Sequence, residues 1–268
     1  MTADSETKAN APAARTPKPK VVKKDLNILM LHGFTQSGTL FRSKTRALEK
    51  LLAKALTPLN INAVCHYPTA PIRLDAKEIP GYTPPEGDAA DEGETDSWAW
   101  FRKRDDPQVP GGITYLGLDS GMETVAEAIR GIEGGIDGVI GFSQGGAMTA
   151  LVASVLETPH REVPEASASW ATALREANGG RSLKFAGIYS GFFATDVALA
   201  WTYEPKIHIP SVHFIGSLDT VVEESRSQAL VDRFEDPVIV VHPGGHYVPI
   251  SKEWAMALAG FVQRQVKE

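Results

Sequence analysis

The segment Gly138-Val139-Ile140-Gly141-Phe142-Ser143-Gln144-Gly145-Gly146 restricts what this chain can fold into more than any other. A short apolar run leads into it and an alanine-rich amphipathic stretch leads out, so it reads strand, sharp turn, helix. In that setting a G-x-S-x-G pattern puts the serine on a strained turn that points Oγ away from the backbone. The positions two before and two after the serine then approach too closely for any residue that carries a Cβ. Gly141 and Gly145 are therefore a steric requirement. With 24 glycines in the chain the pattern alone would be weak, and the flanking strand and helix make it informative.

A chain of 268 residues with 43% hydrophobic and 22% charged content has enough apolar material for one large α/β domain. The formal charge of −6 is unevenly spread: residues 1–24 are at +4, which leaves the remainder at −10. An acidic body argues against a nucleic-acid partner. The single cysteine, Cys65, excludes an intramolecular disulfide and fits a reducing compartment, cytoplasmic or nuclear. It falls in the apolar run Ile61–Cys65 and reads as a buried, inert thiol. No apolar stretch approaches the ~20 residues of a membrane span, and the N-terminus carries no apolar signal region. Residues 1–24 read as a disordered basic tail.

Order is expected to begin at Leu26, where Leu26–Leu31 is apolar enough to be a strand buried on both faces. A polar loop, His32–Gly38, precedes helical spacing over residues 40–56 and a second strand at Ile61–His66. Residues 75–96 hold eight acids against Lys77 and read as a mobile surface insertion. A helix is expected over Glu123–Glu133, then the strand and helix around Ser143, then a polar, irregular insertion over 157–182 with one short helix. Strands at Leu183–Ser190, Ser211–Gly216 and Val238–Val241 follow, with helices near Glu223–Phe234 and Trp254–Val266. This alternation predicts a single α/β domain over 25–268 built on a doubly wound, mostly parallel sheet.

Serine is a poor nucleophile at neutral pH and needs a base, which in turn needs an orienting carboxylate. Where a G-x-S-x-G turn of this kind carries a triad, the chain order is Ser, acid, His, each in a loop past the carboxyl end of a strand. Asp219 meets that condition after Ser211–Gly216, and Asp196 is the weaker candidate after an earlier strand. His246, in the glycine-bearing loop Pro243–Pro249, is the candidate base, with His242 its nearest rival. His160, His208 and His213 read as background. Two N–H groups would serve an oxyanion: Gln144, at the start of the helix, and Phe34, in the early loop that His32 braces. The cluster Trp98-Ala99-Trp100-Phe101 is either core or an apolar wall for an acyl chain. No metal-binding or phosphate-cradling pattern is present, so neither a metal nor another cofactor is expected.

Several stretches together resemble the eukaryotic FSH family of serine hydrolases. They are Leu31–Ser37, Tyr115–Leu118 with Ser120, Gly141–Gly146, Ser190-Gly191-Phe192 and Gly244–Pro249, with the Trp-Ala-Trp-Phe-Arg segment similar to a mid-chain motif of that family. The resemblance runs from about Leu26 to the C-terminus. It implies an α/β-hydrolase fold, a triad at Ser143, Asp219 and His246, and carboxylesterase-type activity on small acyl esters. Related fungal thioesterases imply an alternative: release of an acyl chain from a biosynthetic carrier protein. A third reading is an idle hydrolase fold that only binds ligands.

Overall fold

The computed structural model describes residues 23–83 and 95–267. In chain order the elements are β1 (Lys24–Leu31), α1 (Gly38–Leu56), β2 (Ile61–His66), β3 (Ile72–Arg73), β4 (Trp98–Ala99), β5 (Arg102–Asp105), β6 (Ile113–Leu116) and α2 (Leu118–Arg130). Then come β7 (Gly138–Phe142), α3 (Gln144–Leu156), α4 (Glu165–Ala177), β8 (Phe185–Tyr189), β9 (Ser211–Gly216), α5 (Glu224–Val231), β10 (Val238–His242) and α6 (Lys252–Val266). A six-stranded sheet in the order β10-β9-β8-β7-β1-β2 is parallel throughout. This is the doubly wound sheet expected from the alternation of elements. Two small antiparallel pairs, β3 with β4 and β5 with β6, lie outside it.

The sheet separates two apolar layers. On one side Phe41, Leu48 and Leu52 of α1 and Leu258, Phe261 and Val262 of α6 cluster with Ile28, Met30 and Phe214 of the sheet. On the other, α2, α3 and α4 supply Val125, Ile129, Leu151, Trp170 and Leu174 to a second cluster with Leu29, Val139 and Ile188. The direction in which strands are added to the sheet reverses between β1 and β7. From β1 the chain moves outward to β2, and later returns to pair β7 on the other side of β1. The crevice outside the carboxyl ends at such a reversal is where open α/β sheets place ligands.

The sequence expectations are corrected in several places. Strand β1 starts at Lys24, two residues before Leu26, because Lys24 and Asp25 already pair with Ile61 and Asn62. Lys24 therefore belongs to the sheet; residues 1–22 of the expected tail lie outside the described residues. Of the acidic window 75–96, residues 84–94 lie outside them too. Ahead of these, Asp75 caps the short turn Ala76–Glu78 with a reciprocal capping box. Helix α2 begins five residues before Glu123, at Leu118, because Gly117 adopts a positive φ of 78° and turns the chain into it.

The largest revision concerns residues 157–182. In place of an irregular insertion with one short helix, α4 runs for 13 residues and seats Trp170, Ala171 and Leu174 in the core. Its presence also explains α3, whose every residue from Gln144 to Leu156 is buried. A helix covered on all sides needs no polar face, so α3 is not amphipathic. Replacing Trp170 by alanine should therefore cost about 3–5 kcal/mol of unfolding free energy, read from urea denaturation. A loss below about 1 kcal/mol would mean that α4 is not an integral part of this layer.

Candidate active site

Ser143 sits at φ 55° and ψ −116°, a conformation costly for any residue with a side chain. What holds it there is the seam between β1 and β7. A Cβ on Gly145 would collide with the carbonyls of Leu31 and His32, and one on Gly141 would collide with the Gly145 carbonyl. Close passage of the turn past the end of β1 thus requires glycine at both places. The Ser143 N–H donates to the Tyr189 carbonyl at 2.8 Å, which extends the ladder with β8 into the turn.

Asp219 and His246 come from the loops after β9 and β10, and these loops are zipped together. Ser217 N–H donates to the His242 carbonyl at 2.9 Å and Leu218 N–H to the Gly244 carbonyl at 3.0 Å. A Cβ on Gly216 would strike the carbonyls of Gly244 and Gly245, so this zipper also needs a bare backbone. Asp219 Oδ1 accepts from the N–H groups of Val221 and Val222, each at 2.9 Å. Oδ2 faces His246 Nδ1 at 2.8 Å, and His246 Nε2 faces Ser143 Oγ at 2.9 Å. Burial alone would raise the Asp219 pKa, but hydrogen bonds from His246 and the Val222 N–H outweigh it and hold the carboxyl below its usual range. An ionised carboxylate only accepts, so Nδ1 carries the imidazole proton and Nε2 presents its lone pair to Ser143. The Phe142 ring packs on the His246 ring at 4.8 Å between centroids and fixes its plane.

Phe34 and Gln144 border the same cavity as Ser143, and among the described residues neither backbone N–H is donated to a protein acceptor. Their orientation comes from a buried network. His32 Nδ1 donates to the Gly33 carbonyl at 2.8 Å and Nε2 accepts from Ala70 N–H at 3.0 Å, which permits only the neutral imidazole. Burial drives the His32 pKa down to about 4, so the neutral form persists. With its carbonyl taken up by His32 and by Gln36 N–H, the Gly33–Phe34 peptide turns its N–H the other way. Trp100 Nε1 then donates to the His32 carbonyl at 2.9 Å. The Gln144 side chain clamps the same segment, accepting from Trp100 N–H and donating to the Phe101 carbonyl, both at 2.8 Å.

The aromatic cluster thus divides. Trp100 is fully buried and braces the loop, which makes it core rather than wall. Trp98 packs under Arg73 with its indole N–H on Asp96, also away from the cavity. Phe101 alone of the three lines a cavity of about 400 Å³ that contains Ser143, Gln144 and Phe34. The sequence reading missed the other walls, Phe192, Val221 and Val222, together with Arg102, Lys103, Arg226 and the Glu78 that pairs with Arg102. Phe192 was visible within the Ser-Gly-Phe motif; no pattern marked the rest. A smaller cavity of about 230 Å³ is bounded by Gln36, Phe142, His246 and Tyr247, so it borders the imidazole.

A larger cavity of about 720 Å³ lies between the Glu157–Pro164 segment and Trp201–His208 and holds none of Ser143, Asp219 and His246. There the buried Arg161 is saturated by Glu157 and by the carbonyls of Trp201, Pro205 and Lys206. Asp196, the weaker candidate acid, caps a short helical turn through Ala198 N–H and accepts from Tyr115 N–H. His242 is enclosed by Tyr247 and Trp254, and His213 bonds Ser211 Oγ. His208 pairs with Glu235, and His160 bonds the Glu157 carbonyl. Cys65 keeps some residue exposure, yet its thiol is pushed up to about 12 by burial and the Glu49 carboxylate, so it stays protonated. Among the described residues no helix is long and apolar enough to cross a membrane.

A parallel sheet carrying serine, carboxylate and imidazole on the loops past β7, β9 and β10 defines an α/β-hydrolase. The family model described as Serine hydrolase (FSH1) matches residues 22–258, and this chain belongs to that family. Esterase OVCA2 of Xenopus tropicalis is 32% identical over 231 residues, covering 85% of this chain and 87% of its own length. Family of serine hydrolases 3 of Saccharomyces cerevisiae is 31% identical over 248 residues, covering 88% and 83%. Dihydrofolate reductase of Schizosaccharomyces pombe is 30% identical over 249 residues, or 90% of this chain, which spans only about half (48%) of that protein. Among solved structures, SOBER1 of Arabidopsis thaliana aligns with a TM-score of 0.55 at 16% identity, over 90% of this chain and 99% of its own. Acyl-protein thioesterase 2 of Zea mays aligns with a TM-score of 0.52 at 22% identity, over 93% and 96%. These two share the fold.

Two buried imidazoles make stability depend on pH. Burial lowers His32 to about 4 and His213 to about 3, whereas an unfolded chain protonates both near pH ~6.5. Between those limits the unfolded state binds more protons, so stability is complete above about pH 6.5 and falls on acidification. The expected slope is about 1.4 kcal/mol per pH unit for each histidine. Urea unfolding at stepped pH reads this directly, and His213→Asn should remove one histidine's share of the slope, to which His66 and His242, also lowered by burial, contribute as well. A flat profile from pH 7 to 4.5 would contradict the neutral network around His32.

Proposed function

We propose that this chain hydrolyses acyl esters through a covalent acyl-enzyme on Ser143. The observation that carries this reading is the continuous relay from Ser143 Oγ through His246 to Asp219, at 2.9 and 2.8 Å. Ser143 attacks the acyl carbonyl while His246 Nε2 takes its proton. Asp219 holds the ring by Nδ1 and stabilises the imidazolium that forms. Negative charge develops on the carbonyl oxygen, and the N–H groups of Phe34 and Gln144 stabilise it, aided by the start of helix α3. His246 then returns the proton to the leaving oxygen, and the ester bond breaks. Water activated by the same imidazole clears the acyl group. No step calls for a cofactor.

The same steps act on a thioester, with a thiol leaving in place of an alcohol. An acyl-thioester on a carrier protein is thus a second substrate class within this proposal. A higher kcat/KM for a thioester than for its matched oxygen ester would place the chain in that class.

A fluorophosphonate probe should label the folded protein with one equivalent, at Ser143, and Ser143→Ala should abolish both labelling and turnover. Asp219→Asn should lower kcat by about 10⁴-fold. Well-folded protein that neither labels nor turns over esters would instead be a binding module on a hydrolase fold.

The Gln144 clamp gives a separate expectation. Gln144→Ala keeps the backbone N–H but releases the Trp100–Phe101 segment, so kcat should fall about 10- to 100-fold with KM within about twofold. In Gln144→Glu, a protonated carboxyl can restore both bonds. Its activity relative to wild type should therefore rise as pH is lowered from 8 to 6. An Ala variant with wild-type kcat would show that the oxyanion donors are set without the clamp.

A further inference from the structure

We propose that the acyl subsite of this chain is built for an acyl chain that itself carries a carboxylate, read by Arg226 with Lys103. This rests on the ester-hydrolase reading above. The leaving atom must face His246 Nε2 to be protonated, so the leaving group belongs beside the smaller cavity at Phe142, His246 and Tyr247. The acyl chain then continues into the 400 Å³ cavity that holds Ser143 and Gln144. Phe101, Phe192 and Val222 give that cavity an apolar wall, suited to methylene groups.

Its charged side chains are unbalanced. Arg102 is engaged by Glu78 through two hydrogen bonds, at 2.6 and 2.9 Å, and the two charges cancel. Among the described residues, Lys103 and Arg226 have no carboxylate partner. Arg226 is held in place nonetheless. Its guanidinium lies over the Phe192 ring at 5.1 Å, and one N–H donates to the Val221 carbonyl at 3.2 Å. Phe192 and Val221 are both cavity residues, so the remaining guanidinium donors are fixed at the cavity without an acceptor. A planar, pre-oriented guanidinium is the group that matches a carboxylate with two parallel hydrogen bonds. On a body at −10, two uncompensated cations at this one cavity favour an anionic ligand there.

The test compares three substrates on the full chain at low ionic strength: p-nitrophenyl hexanoate, the mono-p-nitrophenyl ester of adipic acid, and a hexanoate ester of a carboxylated nitrophenol. The adipate monoester should exceed hexanoate in kcat/KM by about tenfold, the range of one charge-assisted contact, and added salt should erode the gap. Arg226→Gln should collapse the adipate-to-hexanoate ratio towards one, and Lys103→Gln should lower it partly. Equal rates for the two, or a ratio that survives Arg226→Gln, would overturn the proposal. So would a preference for the anion on the leaving group alone. In each of those cases hexanoate turnover leaves the ester-hydrolase reading intact. Absence of any turnover together with no fluorophosphonate labelling would instead remove that reading, and this proposal with it.

Discussion

The passage of the Ser143 turn across the end of β1 is the contact on which the rest of the site depends. It brings the backbone of Gly145 against the carbonyls of Leu31 and His32, a distance no Cβ permits. One consequence is the strained backbone of Ser143, which aims Oγ out of the sheet. Another is that the loop after β1 and the first turn of α3 become neighbours, so Phe34 and Gln144 border one cavity with Ser143. Strain of this kind persists only where the surroundings over-determine it. Here the strand ladders on both sides of β7 and the enclosure of α3 supply that constraint.

Protonation states in the site follow from which groups are offered to each imidazole. His246 meets an ionised carboxylate at Nδ1 and a hydroxyl at Nε2, an arrangement that can take up and return a proton. His32 meets a carbonyl at Nδ1 and an amide N–H at Nε2, and burial keeps it neutral. The second ring is held neutral by the groups it meets and by burial. Trp100 and the Gln144 side chain join the second histidine to the start of α3, so the geometry around Ser143 rests on hydrogen bonds shielded from water.

Much of this was legible in the sequence for identifiable reasons. The β7–α3 junction announced itself because its glycines fall at fixed places around the serine, Gly141 required by the nearby Gly145 carbonyl and Gly145 by the end of β1. Asp219 and His246 were found because a doubly wound sheet dictates that such groups follow strand ends, and the apolar runs before them marked those strands. The extent of α4 was not legible, since its polar flanks hid the few residues, Trp170, Ala171 and Leu174, that anchor it. The misreading of α3 as amphipathic had the same origin: the helix that covers it comes from a segment read as irregular. For Trp98, Trp100 and Phe101 the sequence offered wall or core without deciding, and the three residues took different places.

By itself the sequence determined the alternation of strands and helices, the site of the strained turn and the loops that bring Asp219 and His246 to Ser143. These follow from periodicity and from local steric rules acting within a few residues. Tertiary structure alone decided which side chains face the cavity and which charges there are cancelled. Glu78 and Arg102 lie far apart along the chain and meet beside the β3–β4 pair, and Phe192 and Arg226 meet because β8 and β9 are neighbours in the sheet. The same holds for Gln144, whose side chain finds the backbone of Trp100 and Phe101 across 43 or 44 residues. Long-range contacts of this kind leave no period in the sequence, because their geometry is set by how elements pack rather than by any one element.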